Sequence, residues 1–222
     1  MDTVFVKTEI IHAHSSSAQR RAVEVLQAGG LVAFPTDTVY GLAMMPWSPQ
    51  AVSRCYQAKR RPADRPIPLL LSDQKHLPRV AILPDWFKEP FVKVAALFWP
   101  GALTIVLPKT EIVLDEVSHG PTVAVRVPDL EVTRSIIELA GGILAVTSAN
   151  LSGQPSPVTA SEVMEQLGGR IELILDGGPC RAGVPSTVVD CSVVPPRVLR
   201  HGAIATAVLE AALGAIEDCR GE

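Results

Sequence analysis

GGLVAFPTDTVYGLA, residues 29–43, decides how the rest of the chain is read. A glycine pair stops the helical pattern before it, and Leu31 to Phe34 has the length and composition of a strand. The segment from Pro35 to Leu42 then reads as a polar turn. Upstream, Ser15 to Ser17 offer a cap for a helix that runs to about Ala28. The same punctuation returns twice. A helix over Leu130 to Ala140 is closed by Gly141-Gly142 before the strand ILAV, and a helix opened by Thr159, with Glu162 at the capping-box spacing, is closed by Gly168-Gly169 before IELIL.

The remaining segments fit this alternation. Ser48-Pro49 opens a helix with Ala51, Val52, Cys55 and Tyr56 on one face, stopping before Pro62. A further helix spans Asp85 to Phe98, with Pro90 as a kink or a late start, and Pro100-Gly101 turns into the strand LTIVL. TVAVRV (122–127), STVVDCSVV and RVLR read as strands, and a last helix covers about Thr206 to Cys219. Strands alternating with helices predict one α/β domain over residues 1–222, built on a twisted, partly parallel sheet flanked by helices. Ligands of such sheets favour the turns after strands.

Composition narrows the function. The chain has 222 residues, 47% of them hydrophobic, which supports a packed core rather than disorder. Twenty Lys and Arg against 23 Asp and Glu give a net charge of −3, which argues against general electrostatic binding of nucleic acid. With 5% aromatic residues, a stacking surface for single strands is not expected either. The four cysteines form no C-x-x-C pair and read as free thiols of a reducing compartment. No signal peptide is apparent, and no run approaches the roughly 18 to 20 apolar residues of a membrane span, so a cytoplasmic protein is expected.

Three segments carry candidate chemistry. Thr36, Asp37 and Thr38 suit a small polar ligand, or an ordinary Asp/Thr turn. The twelve residues from Arg54 to Arg65 hold five cations (Arg54, Lys59, Arg60, Arg61, Arg65) and one anion, Asp64, a local +4 that Pro62 and Pro66 stiffen, which favours contact with a polyphosphate or a nucleic-acid backbone over cations merely placed near a helix C-terminus. TSANLSGQPSP, Thr147 to Pro157, is a hydroxyl-rich turn after a strand. Walker, Rossmann and nucleophile-elbow motifs are absent, and the five histidines show no metal-ligand spacing.

Taken together, these stretches resemble the threonylcarbamoyl-adenylate synthase family, the YrdC-like domain, from about Ala18 to Ile204. The matching blocks are GGLVAFPTDTVYGLA, AKRRPADRPIPLLL, FWPGALTIVL, TVAVRVPD, VTSANLSGQPSP, GVPSTVVD and VLRHGAI. The pairing of Lys59-x-Arg61 with Ser148-x-Asn150 is that family's signature. The resemblance implies a concave basic cleft and a reaction in which ATP, L-threonine and bicarbonate give threonylcarbamoyl-adenylate and pyrophosphate. A separate transferase would then modify tRNA beside the anticodon. Magnesium is expected on the ATP phosphates, with no protein-held metal.

By the same resemblance, Lys59 and Arg61 are an exposed triphosphate clamp. Ser148, Asn150, Ser156, Arg200 and Thr104 contact ATP, and Thr36, Arg126, Thr147 and Ser186 contact threonine. Lys59, Arg61, Ser148 and Asn150 are the catalytic set. Two positions depart from the pattern: Leu70 stands where some members have a histidine, and His201 where proline is common. The chain resembles the short form without an added C-terminal domain. Two other readings are a carbamoyl-adenylate-forming domain like that of hydrogenase maturation proteins, which the absence of C-x-x-C pairs disfavours, and an RNA-binding or ribosome-assembly module, with direct RNA binding expected to be weak.

Overall fold

The computed structural model describes residues 6–218. β1 (Glu9–His12) leads into α1 (Ser16–Gln27), where Ser15 Oγ accepts from the Ala18 amide at 3.1 Å. Ala18, Ala22, Val25 and Leu26 form the buried face of α1. Gly29, at φ +80°, turns the chain out of the helix at a conformation that favours glycine. β2 (Val32–Phe34) follows and pairs antiparallel with β3 (Gly41–Met44). The polar turn is therefore a hairpin connection that ends at Tyr40, not at Leu42. β3 escaped the sequence reading because it is four residues long and buried on both faces, so it shows no polar alternation.

Ser48 caps α2 (Pro49–Lys59) as its sequence predicts. β4 (Leu69–Leu71), also unanticipated, lies within PIPLLL. The short α3 (Leu77–Val80) comes next, and Pro90 falls in the first turn of α4 (Lys88–Phe98), where a missing N–H costs nothing; a 3₁₀ turn over Asp85–Phe87 precedes it. The chain continues with β5 (Leu103–Pro108), β6 (Thr122–Arg126), α5 (Glu131–Leu139) and β7 (Ile143–Ser148). β7 absorbs Thr147 and Ser148, which the sequence placed in the turn. α6 (Ala160–Leu167) carries the expected capping box between Thr159 and Glu162.

β8 (Leu173–Asp176), β9 (Thr187–Asp190), β10 (Arg197–Arg200), α7 (Thr206–Leu213) and β11 (Glu217–Asp218) complete the order. The last helix is shorter than expected. It stops before Gly214, and the Glu217 amide bonds to Pro196 O at 2.8 Å, so a strand contact replaces the final turns; Cys219 lies outside the described residues.

The strands form one mixed sheet in the order β1-β8-β2-β3-β7-β4-β6-β5-β9-β10-β11, with half of the ten strand pairs parallel. Successive strand residues face opposite sides. Val32 and Phe34 enter one core with α1 and α5, while Leu31 and Ala33 enter the other with α2, α4 and α6. The first core draws its buried residues from β8, β2, β3, β7 and β4, and none from β6, β5, β9 or β10. Among the described residues, no helix packs on that face of the second half of the sheet. Its side chains are free to be polar there, and this is where the cleft opens.

Candidate active site

Sheet register assembles the cleft. Leu70 on β4 is paired with Arg126 on β6, and Thr104 on β5 lies one step beyond the Ile105–Val125 pair, beside Arg126. Thr104 is in turn paired with Val188, which is opposite Arg200. Arg200 reaches this face through a bulge. The register slips between Val198 and Arg200, so Val198 stays in the core while Arg200, two residues on, turns to the cleft. One lateral row thus holds an apolar wall, two guanidiniums and a hydroxyl. The cleft is about 210 Å³, and Arg61, Ser148 and Ser156 border it from the connecting loops.

The Thr36–Val39 turn is internally bonded. Arg126 Nη1 donates to Thr38 Oγ1 at 2.8 Å, so the Thr38 hydroxyl donates onward to Thr36 Oγ1 at 2.9 Å, and Thr36 donates to Val39 O at 2.7 Å. Thr36 therefore has no hydroxyl hydrogen left for a ligand and offers it a wall. Arg126 Nη2 donates to Asp37 Oδ1 at 2.6 Å and Nε to Gly101 O at 2.8 Å. Burial pushes the Arg126 guanidinium below its ordinary value, and Asp37 opposes that shift. Two of its five N–H groups remain free of these bonds, enough to fork a carboxylate.

Lys59 contradicts the exposed-clamp expectation. Its side chain is 1% exposed and lies behind the cleft wall, donating to the carbonyls of Ser148 and Asn150, the latter at 2.6 Å, with Asn150 Oδ1 at 3.4 Å. Asn150 is also buried. Its Oδ1 accepts from Ser148 Oγ, and its Nδ2 donates to Leu151 O at 2.7 Å and Gln154 O at 2.8 Å. The physical reason is position. Lys59 occupies the last turn of α2, facing the loop that follows β7, whose carbonyls would otherwise be unpaired. Burial lowers the Lys59 ammonium to about 8, against an opposing effect of Cys55 and with a further lowering by Arg61.

The +4 stretch does not act as one patch. Arg54 turns away to Gly29 O and Glu172, and Arg60 is the exposed cap of α2. Arg61 does face the cleft, with Nε donating to Arg65 O at 3.2 Å and Nη2 to Pro66 O at 2.9 Å. Burial lowers it first, with Arg65 adding to that.

A third group gathers residues that the sequence had divided between two ligands. Thr104 Oγ1 and Ser186 Oγ are 2.8 Å apart, and Arg200 Nη2 donates to Ser186 Oγ at 3.0 Å. Arg200 is lowered by burial first, then by the charges of Arg126 and Arg61. Thr36, Arg61, Thr104, Arg126, Thr147, Ser148, Ser156, Ser186 and Arg200 all line the cleft, whereas Lys59 and Asn150 do not. Sequence reasoning missed Asp37 as the partner of Arg126, and the apolar wall of Pro68, Leu70 and Val146. The apolar run PIPLLL was the available signal for that wall. The departure at His201 lies on the surface, bonded to Asp218 at 2.9 Å.

Among the described residues no carboxylate lines the cleft, which carries three guanidiniums and several hydroxyls. Fold and site together define a mixed α/β protein with a donor-lined, oxyanion-type cleft on the uncovered half of its sheet. The chain belongs to the Sua5/YciO/YrdC family, whose profile, described as "Telomere recombination", matches residues 24–202.

Among relatives, the threonylcarbamoyl-AMP synthase of Pyrococcus abyssi is 43% identical over 198 residues, covering 89% of this chain and 57% of that protein. That of Bacillus subtilis is 40% identical, covering 90% and 58%. The chain thus spans less than two thirds of either. The Vibrio campbellii synthase is 32% identical, with 82% of this chain and 97% of that protein covered. A crystal structure of P. abyssi Sua5 complexed with L-threonine superposes with a TM-score of 0.88 at 39% identity, covering 96% of this chain and 62% of that one. The E. coli YciO structure, at TM-score 0.78 and 24% identity, shows the fold alone.

Proposed function

We propose that this chain is a threonylcarbamoyl-AMP synthase, a nucleotidyltransferase that joins ATP, L-threonine and bicarbonate and releases pyrophosphate. The observation that carries the reading is the convergence of Arg61, Arg126 and Arg200 on one cleft whose lining includes no carboxylate. Mutual repulsion among guanidiniums is relieved by an anionic ligand, and this reaction brings several anions together. Relatives that share the family bear the synthase name at up to 97% coverage of their own length, and one has been crystallised with L-threonine.

In this reading Arg126, held from behind by Asp37, forks the threonine carboxylate, and the wall of Leu70 and Val146 packs beside it. Arg61 faces the triphosphate, and Ser148 and Ser156 border the nucleotide side with Thr147 toward threonine. Lys59 and Asn150 act through the loop they hold. Catalysis rests on positioning and on neutralising charge as the carbamate oxygen attacks the α-phosphorus. The donor set suits anions, and Asp37 is already bonded to Arg126, so a divalent cation fits as magnesium carried by the ATP phosphates. The product would pass to a separate transferase acting on tRNA, in the cytoplasm.

The test is pyrophosphate release by the purified chain. It should require ATP, threonine and bicarbonate together. Release that is indifferent to threonine would sink the reading.

A further inference from the structure

We infer that Tyr40 is a positioning residue for the amino-acid half of the cleft: its hydroxyl pins the glycine-rich segment 177–185, and through it the Thr36–Val39 turn, while its backbone holds the nucleotide half. The ligand named for each half rests on the reaction proposed above, and the pinning rests on the geometry. Tyr40 lies at the back of the cleft with 0% exposure, so it serves through what it holds and not by touching a ligand.

The hydrogen bonds that converge on this residue divide between main chain and side chain. The Tyr40 amide donates to Pro157 O at 2.9 Å, next to Ser156, and the Tyr40 carbonyl accepts from the Ala149 amide at 2.8 Å, next to Ser148. Both bonds fasten the nucleotide side, and both survive a change of side chain. The hydroxyl has a different task. It donates to Gly178 O at 2.9 Å and accepts from the Gly177 amide at 3.3 Å, which joins the root of the 177–185 segment to the residue that leads into β3.

That segment has little else to order it. Pro179 and Arg181 to Val184 are exposed and Cys180 is half-buried, so burial contributes little. Gly178 and Gly183 sit at φ +79° and +68°, where glycine is favoured. What remains is backbone pairing: the Ala182 amide donates to Asp37 O and the Gly183 amide to Thr38 O, each at 3.1 Å, and the Cys180 amide to Val158 O at 2.9 Å. A Cβ on Gly177 would lie 2.7 Å from Pro35 Cγ, so the root packs its backbone directly on the residue that opens the turn. Asp37 and Thr38, which the segment fastens by their carbonyls, are the residues whose side chains hold Arg126. At the far end Ser186 is fixed separately, by Arg200 on its carbonyl and by the close packing of Gly202 on its backbone. Loss of the pin therefore falls on the turn behind Arg126, the arginine that meets the amino acid's carboxylate in the proposed reaction.

The test compares wild type, Tyr40→Phe and Gly178→Ala. Tyr40→Phe removes only the hydroxyl. A Cβ at Gly178 would meet nothing within 4 Å, so Gly178→Ala strains the same root through backbone conformation alone and leaves Tyr40 in place. Binding of L-threonine without ATP, by titration calorimetry, should weaken by about 5- to 20-fold in Tyr40→Phe, the loss of one buried hydrogen bond, and the threonine KM should rise in parallel while the ATP KM stays within about twofold. Hydrogen exchange supplies a readout that needs no ligand. The amides of Gly177, Ala182 and Gly183 should lose protection in both variants while those of Tyr40 and Ala149 keep it, a pattern that a general loss of stability would not give. A wild type that binds ATP but no threonine would defeat the proposed reaction, and the exchange pattern would still decide the pinning. Unchanged threonine affinity in Tyr40→Phe, ATP and threonine KM values that rise together, or unchanged exchange at Ala182 and Gly183 would overturn the inference.

Discussion

The loop held by Lys59 and the corner around Arg200 are both built on cations, and they use them in opposite ways. Lys59 is sealed and its donors are engaged by Ser148 and Asn150, so its charge serves the fold. Arg200 keeps N–H groups directed at a cleft without carboxylates, so its charge awaits a ligand. Arg61, two residues beyond Lys59, belongs with Arg200. The difference teaches that a run of cations in sequence is not a patch in space. The end of α2 divides its charges between holding the site and meeting the substrate.

The largest effect should come from Lys59→Met, which leaves buried carbonyls unpaired and is expected to destabilise the protein by about 3 kcal/mol in urea unfolding. Arg61→Met should leave the unfolding free energy within about 0.5 kcal/mol of wild type while raising the ATP requirement at least about tenfold. Equal losses of stability in the two variants would erase the contrast. Asp37→Asn, which keeps an acceptor for Arg126 but removes the charge, should cost about 2 kcal/mol by the same unfolding assay. The capping box is a control remote from the cleft: Thr159→Ala should cost about 1 kcal/mol and leave turnover unchanged.

The smallest effect is a pH dependence with a definite sign. The Lys59 value in the folded protein, about 8, lies below its ordinary value of 10.5, so above pH 8 the unfolded chain binds more protons than the native one. Stability from this group therefore rises with pH. Cys55, Cys180 and Cys191, whose thiols burial raises from an ordinary value of 9.0, act in the opposite direction from about pH 8 upward, so the difference between wild type and Lys59→Met, and not the wild-type curve alone, isolates Lys59. Unfolding midpoints at pH 7, 8 and 9 should climb in wild type relative to Lys59→Met, and parallel curves would contradict the assignment.

Much of the fold was legible because glycine pairs, serine caps and apolar runs are local signals. Ser15, Ser48 and Thr159 cap the helices their spacing predicts. β3 and β4 were not legible, since strands of three or four residues buried on both faces lack polar alternation. The site was legible as a set of residues through family resemblance, and nine of the eleven named positions reach the cleft. Their grouping was not. Arg126 and Thr104 lie on the consecutive strands β6 and β5, but Arg200 joins them only because β9 pairs with β5 rather than with β8, its neighbour in the chain, and it faces the cleft because of a bulge that RVLR does not announce. Nor could sequence separate Lys59 from Arg61, because burial is decided by the loop that follows β7, some 90 residues later.

A crystal structure with L-threonine and a non-hydrolysable ATP analogue tests the central division most directly. It should show phosphate oxygens within hydrogen-bond distance of Arg61, with Lys59 Nζ still on the carbonyls of Ser148 and Asn150. A Lys59 ammonium withdrawn from those carbonyls and bonded to a phosphate would contradict it.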